Sequence, residues 1–202
     1  MAACEKDPAL IDEKTSNTIL KPVVRTDEKA LVQRSLGGDR AAQYLLYKRY
    51  VGAMFHTIVR MVGNRQDAED VTQEVFVKVF RQLASFRGEA TLGAWIKRIA
   101  INAALNFLRK KKQLQFEEIN ERLPLADEAG INETDWANKI HGIHEAVKKL
   151  PDGCRLVFNL YMLEGYKHKE VAKMLGITES TSKTQYRRAK RLIKEIVLGI
   201  NK

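Results

Sequence analysis

The sequence has little of what marks secreted or membrane-spanning proteins. Its 202 residues include two cysteines and four prolines. Cys4 and Cys154 lie far apart and form no CxxC motif, which favours free thiols in a reducing compartment. No apolar run approaches the roughly 20 residues that a membrane-spanning helix needs. The first 20 residues lack a basic segment followed by an apolar core. We therefore predict a cytoplasmic protein with no membrane span of its own.

Motifs for catalysis are also missing. The sequence has no phosphate-binding loop, no paired nucleophile and base, and no quartet of metal ligands, so neither an enzyme nor a cofactor is predicted. The acidic residues Asp67, Asp70 and Glu74 share one face of a predicted helix. They leave three interpretations open: compensation of the helix dipole, metal binding in a nuclease, or docking to a basic protein surface. Composition alone favours the first.

Positive charge is what the sequence has in excess. Lys and Arg number 35 against 25 Asp and Glu, which gives a formal net charge of +10 and a pI near 9.6. Such an excess favours nucleic acid or an anionic membrane as a partner. A hydrophobic content of 45% is enough to bury a core.

The apolar spacing is helical wherever it is periodic, and it divides the chain into four parts. Residues 1–26 are a polar, flexible tail, and residues 27–112 form a first helical domain. Glycine pairs and caps predict breaks at Gly37-Gly38-Asp39 and at Gly63-Asn64. Residues 113–137 hold seven acids against one base and form a flexible linker. Residues 138–202 form a second domain, so we predict an all-α fold of two small helical domains.

The segment Thr91–Lys112 is the most informative part of the first domain. Apolar residues cover most of its helical wheel, and the remaining stripe carries Arg98, Asn102, Asn106 and Arg109 at spacings of 4, 4 and 3. An amide and arginine ridge followed by a Lys run is suited to a polyanion. Taken alone, the segment is equally consistent with a core helix that ends in a solvated lysine tail.

The second domain contains the pattern of a helix-turn-helix. Ala172 is followed four residues later by Gly176, and Thr178 can cap the next helix. Small polar residues early in that helix suit base edges, and later cations suit phosphates. The alternative is an exposed basic helix without a ligand. The helix is predicted to present Ser180, Thr181, Lys183, Thr184, Gln185, Arg187, Arg188, Lys190, Arg191 and Lys194.

Two separated segments together resemble one family. DAEDVTQEVFVKVFRQLASF followed by WIKRIAINAALNFLRKKK resembles the second conserved region of bacterial sigma factors. EAVKKLPDGCRLVFNLYMLEGYKHKEVAKMLGITESTSKTQYRRAKRLIKE resembles the fourth. Because no third domain is recognisable between them, the chain resembles the extracytoplasmic-function class. The resemblance covers roughly residues 27–196.

The resemblance implies partners and roles. It implies core RNA polymerase, promoter DNA and an anti-sigma factor as partners, with the linker passing through the polymerase channel. Polymerase docking is implied for Asp67, Asp70, Gln73, Glu74 and Phe76. Recognition and melting of the −10 element are implied for Ser85, Phe86, Arg87, Trp95, Lys97, Arg98, Asn102, Asn106, Arg109 and Lys110. Recognition of the −35 element is implied for Ser180, Thr181, Lys183, Thr184, Gln185, Arg187, Arg188, Lys190 and Arg191.

The chain departs from the family pattern at several positions. Asn106 stands where the family usually has Asp, and Phe80 where it usually has Trp. Ser182 and Gln185 replace an aliphatic residue and an Arg, which suggests a distinct −35 preference. A stand-alone helix-turn-helix regulator remains an alternative, but it leaves the ridge on Thr91–Lys112 without a purpose.

Overall fold

The computed structural model describes residues 23–111 and 142–199, and all regular structure within these ranges is helical. The prediction of an all-α fold is confirmed, whereas the predicted linker and most of the predicted tail lie outside the described residues. No helix in these ranges is both long enough and apolar enough to cross a bilayer. The helices are α1 (Val23–Leu36), α2 (Arg40–Val62), α3 (Arg65–Gln82), α4 (Leu92–Lys110), α5 (residues 142–148), α6 (Asp152–Phe158), α7 (His168–Leu175) and α8 (Glu179–Leu198).

Internal contacts divide the chain between Leu46 and Tyr47, a point inside α2. The first unit contains α1 and the beginning of α2. Helix α1 begins at Val23, four residues before the predicted start of the first helical domain at residue 27. A helix can begin without a side-chain cap. Residues 23–26 therefore belong to α1 and not to the predicted tail.

The turn between α1 and α2 is fixed by a glycine and a capping aspartate. Gly38 has a φ of +82°, which an L side chain rarely adopts. Oδ1 of Asp39 accepts hydrogen bonds from the backbone N–H groups of Ala41 and Ala42. The pKa of Asp39 is lowered mainly by a hydrogen bond from Arg34. The hydrogen bond from the backbone N–H of Ala42 lowers it further. The predicted break and cap are both confirmed.

Helix α2 ends where the sequence predicts, and α3 begins with a side-chain cap. Gly63 has a φ of +80°, and Oδ1 of Asn64 accepts a hydrogen bond from the backbone N–H of Asp67 at 3.1 Å. Helices α3 and α4 then pack against each other. Their buried residues are Ala68, Val71, Thr72, Val75, Phe76 and Val79 on α3, and Leu92, Ile96, Ala100, Ile101, Ala103, Ala104, Leu105 and Leu108 on α4.

The second helical stretch has its own core. Helix α6 follows Pro151 and continues into one π-helical turn, Asn159–Leu163, in which the backbone N–H of Glu164 donates to the carbonyl of Asn159. The core joins α5, α6 and α8 through Ala146, Val147, Leu150, Cys154, Phe158, Ala189 and Ile193.

Helices α7 and α8 form the predicted helix-turn-helix. Gly176 has a φ of +70°, and its backbone N–H donates to the carbonyl of Ala172. The Oγ1 atom of Thr178 accepts a hydrogen bond from the backbone N–H of Thr181 at 3.0 Å and so caps α8. The turn places the first residues of α8 at the surface.

Candidate nucleic-acid interface

A polar ridge runs along the exposed side of α4. It consists of Arg98, Asn102, Asn106 and Arg109, and all four side chains are exposed. The helix beneath them is otherwise largely buried, and Thr91 caps it through a 3.2 Å hydrogen bond from the backbone N–H of Ala94. The α4 ridge is therefore a polar surface on a firmly packed support, as the sequence predicts.

Asn106 is tied to its neighbour on the α4 ridge. Its Oδ1 accepts a hydrogen bond from Nη1 of Arg109 at 2.7 Å, and Nη2 of Arg109 donates to the carbonyl of Met174. The amide orients the Arg109 guanidinium and leaves its positive charge unchanged. A carboxylate at this position would neutralise part of that charge. The ridge is therefore more cationic with Asn106 than it would be with an Asp at this position.

A loop before α4 forms one wall of a cavity of about 960 Å³. Leu83–Ser85 is a short 3₁₀ turn, closed by a 2.7 Å hydrogen bond from Oγ of Ser85 to the carbonyl of Gln82. The rings of Phe86 and Trp95 lie 5.5 Å apart at a tilted angle. The wall on this side contains Ser85, Phe86, Arg87, Gly88, Glu89, Ala90, Ala94, Trp95, Arg98, Asn102, Leu105 and Arg109.

The opposite wall of the cavity comes from the helix-turn-helix stretch. It is made by Tyr166, Glu170, Lys173 and Met174. Burial raises the pKa of the Tyr166 hydroxyl, the positive charge of Arg98 opposes that shift, and Glu164 and Glu170 add to it. The cavity thus has two aromatic rings, three arginines, one amide and Glu89 on one side, and a mixed, partly acidic wall on the other.

Lys97 and Lys110 were also predicted to take part in −10 recognition. Lys110 is exposed at the end of α4. The Lys97 ammonium lies 2.9 Å from Oε2 of Glu164, a residue that the sequence did not single out. Glu164 is separated from Lys97 by more than sixty positions in the chain, so no local pattern indicates the pair.

The acidic face predicted for docking is present on α3. Asp70, Gln73 and Glu74 are exposed, and Glu74 lies 4.0 Å from Lys78 one turn further along the helix. Asp67 is half-buried and accepts hydrogen bonds from the Lys111 ammonium at 2.7 Å. Three of the five predicted docking residues therefore form a continuous exposed surface.

Phe76 does not belong to that surface. It is 3% exposed and contacts the ring of Tyr47 edge-on at a centroid distance of 4.8 Å. Thr72 and Val79, four residues before it and three after it, are buried too. Phe76 therefore lies on the core stripe of α3 and not on its exposed face, and its implied part in docking stays a prediction.

The exposed side of α8 carries small polar residues first and cations afterwards. We define the α8 face by residues that are exposed or half-exposed on it: Ser180, Thr181, Lys183, Thr184, Arg187, Arg188, Lys190 and Arg191. The ammonium of Lys183 lies 2.7 Å from Glu179, and hydrogen bonding to Lys183 is the largest cause of the lowered pKa of Glu179. The order of polarity along the helix matches the prediction.

Gln185 is a correction to the predicted set. It is 2% exposed, and its Oε1 accepts a hydrogen bond from Sγ of Cys154 at 3.0 Å. It lies on the same stripe as the buried residues Ser182, Ala189 and Ile193, at helical spacing. Its side chain is therefore not available to a base edge in this structure, and its expected presentation to DNA is wrong.

A histidine supports the same stripe from α7. Nδ1 of His168 lies 2.9 Å from Oγ of Ser182, and the imidazole stacks on Tyr161 with ring centroids 4.1 Å apart. Burial lowers the pKa of His168, the positive charge of Lys183 lowers it further, and Glu179 opposes the shift. The neutral imidazole thus belongs to the scaffold that holds α8.

Comparisons with known protein families match both helical stretches. The model described as "Sigma-70 region 2" matches residues 46–113, and "Sigma-70, region 4" matches residues 140–193. The α4 ridge and the loop cavity wall lie in the first match, and the α8 face lies in the second. The predicted resemblance is confirmed on both segments.

Curated relatives match most of the chain. An ECF RNA polymerase sigma factor SigM of Mycobacterium tuberculosis is 30% identical over 182 residues, which cover 88% of this chain and 89% of that protein. An RNA polymerase sigma-H factor of Pseudomonas aeruginosa is 29% identical over 191 residues, covering 85% of this chain and 94% of that protein.

A solved structure of CnrH in complex with the cytosolic domain of CnrY covers 86% of this chain and 98% of that one, with 21% identity and a TM-score of 0.47. A co-crystal structure of the sigma factor RpoE with the anti-sigma factor NepR, from Bartonella quintana, covers 79% of this chain and 98% of that one, with 19% identity and a TM-score of 0.48. The two family matches and the relatives agree in order and coverage. The chain therefore belongs to the extracytoplasmic-function class of bacterial sigma factors, which direct RNA polymerase to promoters.

Proposed function

We propose that the α4 ridge and the loop cavity receive the −10 strand of a promoter when the duplex is opened. The observation that carries this proposal is a ridge of two arginines and two amides on a helix whose other sides are packed in a core. Arginines and amides bind phosphates and base edges, and the tilted Phe86 and Trp95 rings beside them offer stacking surfaces. Extruding a base costs a few kcal/mol, which a fitted pocket offsets.

The α8 face is proposed to bind the −35 element as a duplex. Its early residues are short and polar, and its later residues are cationic, which suits base contacts followed by phosphate contacts. Gln185 is left out of this surface because it is buried. The base preference is assigned to Ser180, Thr181, Lys183 and Thr184, and the phosphate contacts to Arg187, Arg188, Lys190 and Arg191.

Polymerase docking is proposed for the exposed acidic residues of α3. Asp70, Gln73 and Glu74 form an uninterrupted polar surface, whereas Asp67 is held by Lys111. In domain terms, residues 27–112 dock on the polymerase and open the −10 element, and residues 138–202 bind the −35 element. Residues 113–137 connect the two and enter the polymerase channel.

The protein is proposed to have no catalytic activity of its own. Sigma factors are non-catalytic initiation factors, and the chemistry of transcription is carried out by the polymerase. We propose a cytoplasmic location, because polymerase and chromosome are both there.

An anti-sigma protein is proposed as a further partner. The matched solved structures of CnrH and of RpoE are both complexes, with the cytosolic domain of CnrY and with the anti-sigma factor NepR. In this chain Met162 and Leu163 are neighbouring apolar residues that are 52% and 44% exposed, and they offer an apolar surface to such a partner. Co-purification of a partner that suppresses transcription in vitro would support this assignment.

Run-off transcription tests the proposed function directly. Purified chain and core polymerase are combined with fragments of the genome from which the chain comes, and transcript starts are mapped. We expect specific transcripts that depend on the chain and share two elements upstream of their starts. Sequence-specific duplex binding without polymerase, combined with no chain-dependent transcript from any fragment, would contradict the proposal and favour a stand-alone regulator.

A further inference from the structure

The buried side of α8 is polar in its first half and apolar in its second. Ser182 and Gln185 are buried polar residues, and Ala189 and Ile193 continue the same stripe with apolar side chains. A buried hydroxyl or amide lowers stability unless it has a hydrogen-bond partner. The half of α8 that carries the residues assigned to base contacts is therefore held by polar contacts, and these are directional.

His168 supplies the partner of Ser182 from the neighbouring helix. It is the first residue of α7, and its Nδ1 lies 2.9 Å from Oγ of Ser182. The other polar residue of the stripe, Gln185, accepts its hydrogen bond from the Cys154 thiol, which is a weak donor. The contact between His168 and Ser182 is therefore the stronger directional link to this half of α8.

Aromatic rings hold the His168 imidazole in place. The imidazole stacks on Tyr161 with centroids 4.1 Å apart and an interplanar angle of 12°, and Tyr186 of α8 lies edge-on to it at 5.7 Å. The rings of Tyr161 and Tyr186 also contact each other, at 4.6 Å. The two tyrosines thus fix the plane of the imidazole, and its Nδ1 edge lies against Ser182.

Ser182 lies between two residues that we assign to the bases. Thr181 and Lys183 are its neighbours in the chain, and both belong to the α8 face. Because successive residues share one rigid helical turn, a shift of α8 at Ser182 moves both side chains relative to bound DNA. Hydrogen bonds to bases weaken steeply outside a narrow range of distance and angle, so a small shift changes base contacts.

We propose that His168 is a positioning residue for −35 recognition, which acts through Ser182 to set the orientation of α8 and thereby its base preference. An aliphatic residue, which the family pattern has at position 182, could not form this contact. His168 itself does not contact the DNA in this proposal. The inference rests on the proposed function of the α8 face, which supplies the ligand, a −35 duplex.

The test measures how strongly the −35 element is preferred. Polymerase assembled with the chain is titrated with a promoter fragment found by the run-off mapping and with the same fragment carrying a scrambled −35 element. The ratio of the two affinities is the −35 preference. A ratio near one for the parent protein would contradict the proposed function, and this inference with it. A clear parental preference establishes the ligand before any variant is compared.

Two substitutions of His168 separate the hydrogen bond from the stacking. His168→Phe keeps a ring against Tyr161 but removes Nδ1, and it is expected to lower the −35 preference about fivefold or more, the equivalent of one weakened base contact. His168→Asn does the reverse, because its amide sits on Cγ, the atom that carries Nδ1 in His. It is expected to keep most of the parent's −35 preference.

A double variant separates positioning from stability. His168→Phe leaves the Ser182 hydroxyl buried without this partner, and adding Ser182→Ala removes that hydroxyl. The melting temperature is expected to return toward the parent value, whereas the −35 preference stays low because the directional contact is absent. Ser182→Ala alone is expected to lower the −35 preference as His168→Phe does, and it replaces His168→Phe if that variant does not fold.

Thr72→Val is the matched control. Thr72 is a buried residue of α3 whose hydroxyl donates to the carbonyl of Ala68 at 2.6 Å, so the substitution removes a buried hydroxyl far from α8 in the chain. The −35 preference is expected to stay at the parent value. Circular dichroism identifies the folded variants.

Three results would overturn the positioning role. One is an unchanged −35 preference in folded His168→Phe or Ser182→Ala. Another is a preference that recovers together with the melting temperature in the double variant, because His168 would then only stabilise the fold. The third is an equal loss in His168→Phe and His168→Asn, which would mean that the hydrogen bond does not set the helix.

Discussion

The α4 ridge and the α8 face are both polar surfaces on helices packed from behind, yet they differ in how their charged residues are held. On α8, Lys183 pairs with Glu179 four residues earlier, and both side chains remain about half exposed. On α4, Arg109 and Lys97 contact residues of the other helical stretch. The charge contact of Lys183 on the α8 face therefore stays within one helix, whereas those of α4 reach residues far along the chain.

The largest expected effect on stability comes from disrupting the core that supports the α8 face. Ala189 is fully buried in the second core, so Ala189→Asp places an unpaired carboxylate there. We expect a loss of about 3–5 kcal/mol in the free energy of unfolding, because a buried charge without a partner is poorly tolerated. Thermal or urea unfolding measures the loss. Lys190→Asp, next to it on the exposed side, is the control and should unfold near the parent temperature.

A variant at Gln185 distinguishes residues that stabilise the packing of α8 from residues that contact DNA. Gln185→Ala removes a buried side chain that accepts a hydrogen bond from the Cys154 thiol and leaves a cavity in its place, and it is expected to cost about 1–3 kcal/mol of stability while leaving the −35 base preference unchanged. Arg187→Ala, on the exposed side, should behave oppositely, with stability within about 0.5 kcal/mol of the parent and weaker duplex binding. Urea unfolding and a −35 duplex titration check both. A changed base preference in Gln185→Ala would show that the residue reads DNA after all.

The two caps allow a like-for-like comparison of the two helices. Thr91→Ala and Thr178→Ala each remove a side-chain oxygen that accepts from a backbone N–H, at 3.2 and 3.0 Å. We expect each to lower stability by about 0.5–2 kcal/mol, and the corresponding Ser variants to retain most of it. Unfolding monitored by circular dichroism supplies the measurement. Equal losses from the Ala and Ser variants would mean that the hydroxyl does not act as a cap.

The smallest expected effect is on the pH dependence of stability, through His168, which contacts α8. The folded-state pKa of His168 lies below its usual value of 6.5, so the unfolded chain binds the proton more tightly. The stabilising contribution of the neutral imidazole is fully present above 6.5 and decreases as pH falls through 6.5 toward the folded pKa. His168→Gln should therefore narrow the difference in melting temperature between pH 7.5 and pH 5.5. An unchanged difference in melting temperature between the two pH values would show that His168 does not contribute to the pH dependence.

The features that could be predicted from the sequence are those set by residues a few positions apart in the chain. Asp39 and Thr178 cap helices as expected, because a cap binds a backbone N–H two or three residues further on. The exposure of the α4 ridge followed from helical periodicity alone.

Gln185 was misplaced because a polar residue on a core stripe was assigned to the surface by its chemistry. The docking role of Phe76 was implied by the family resemblance alone, and its side chain is buried. On both helices the stripe of buried residues shows which side of the helix the side chain occupies. The contacts of Glu164 with Arg60 and Lys97 depend on the arrangement of three elements, which no local pattern contains.

The π-helical turn determines which side chains reach α2. In an α-helix, with about 3.6 residues per turn, two side chains five positions apart point in widely different directions. The turn Asn159–Leu163 closes from Asn159 to Glu164 and so brings residues five apart back to the same side. Asn159 and Glu164 both contact Arg60 as a result, one at its carbonyl and one at its guanidinium. A chain one residue shorter at this turn would keep the helix-turn-helix, but Asn159 and Glu164 could no longer both contact Arg60.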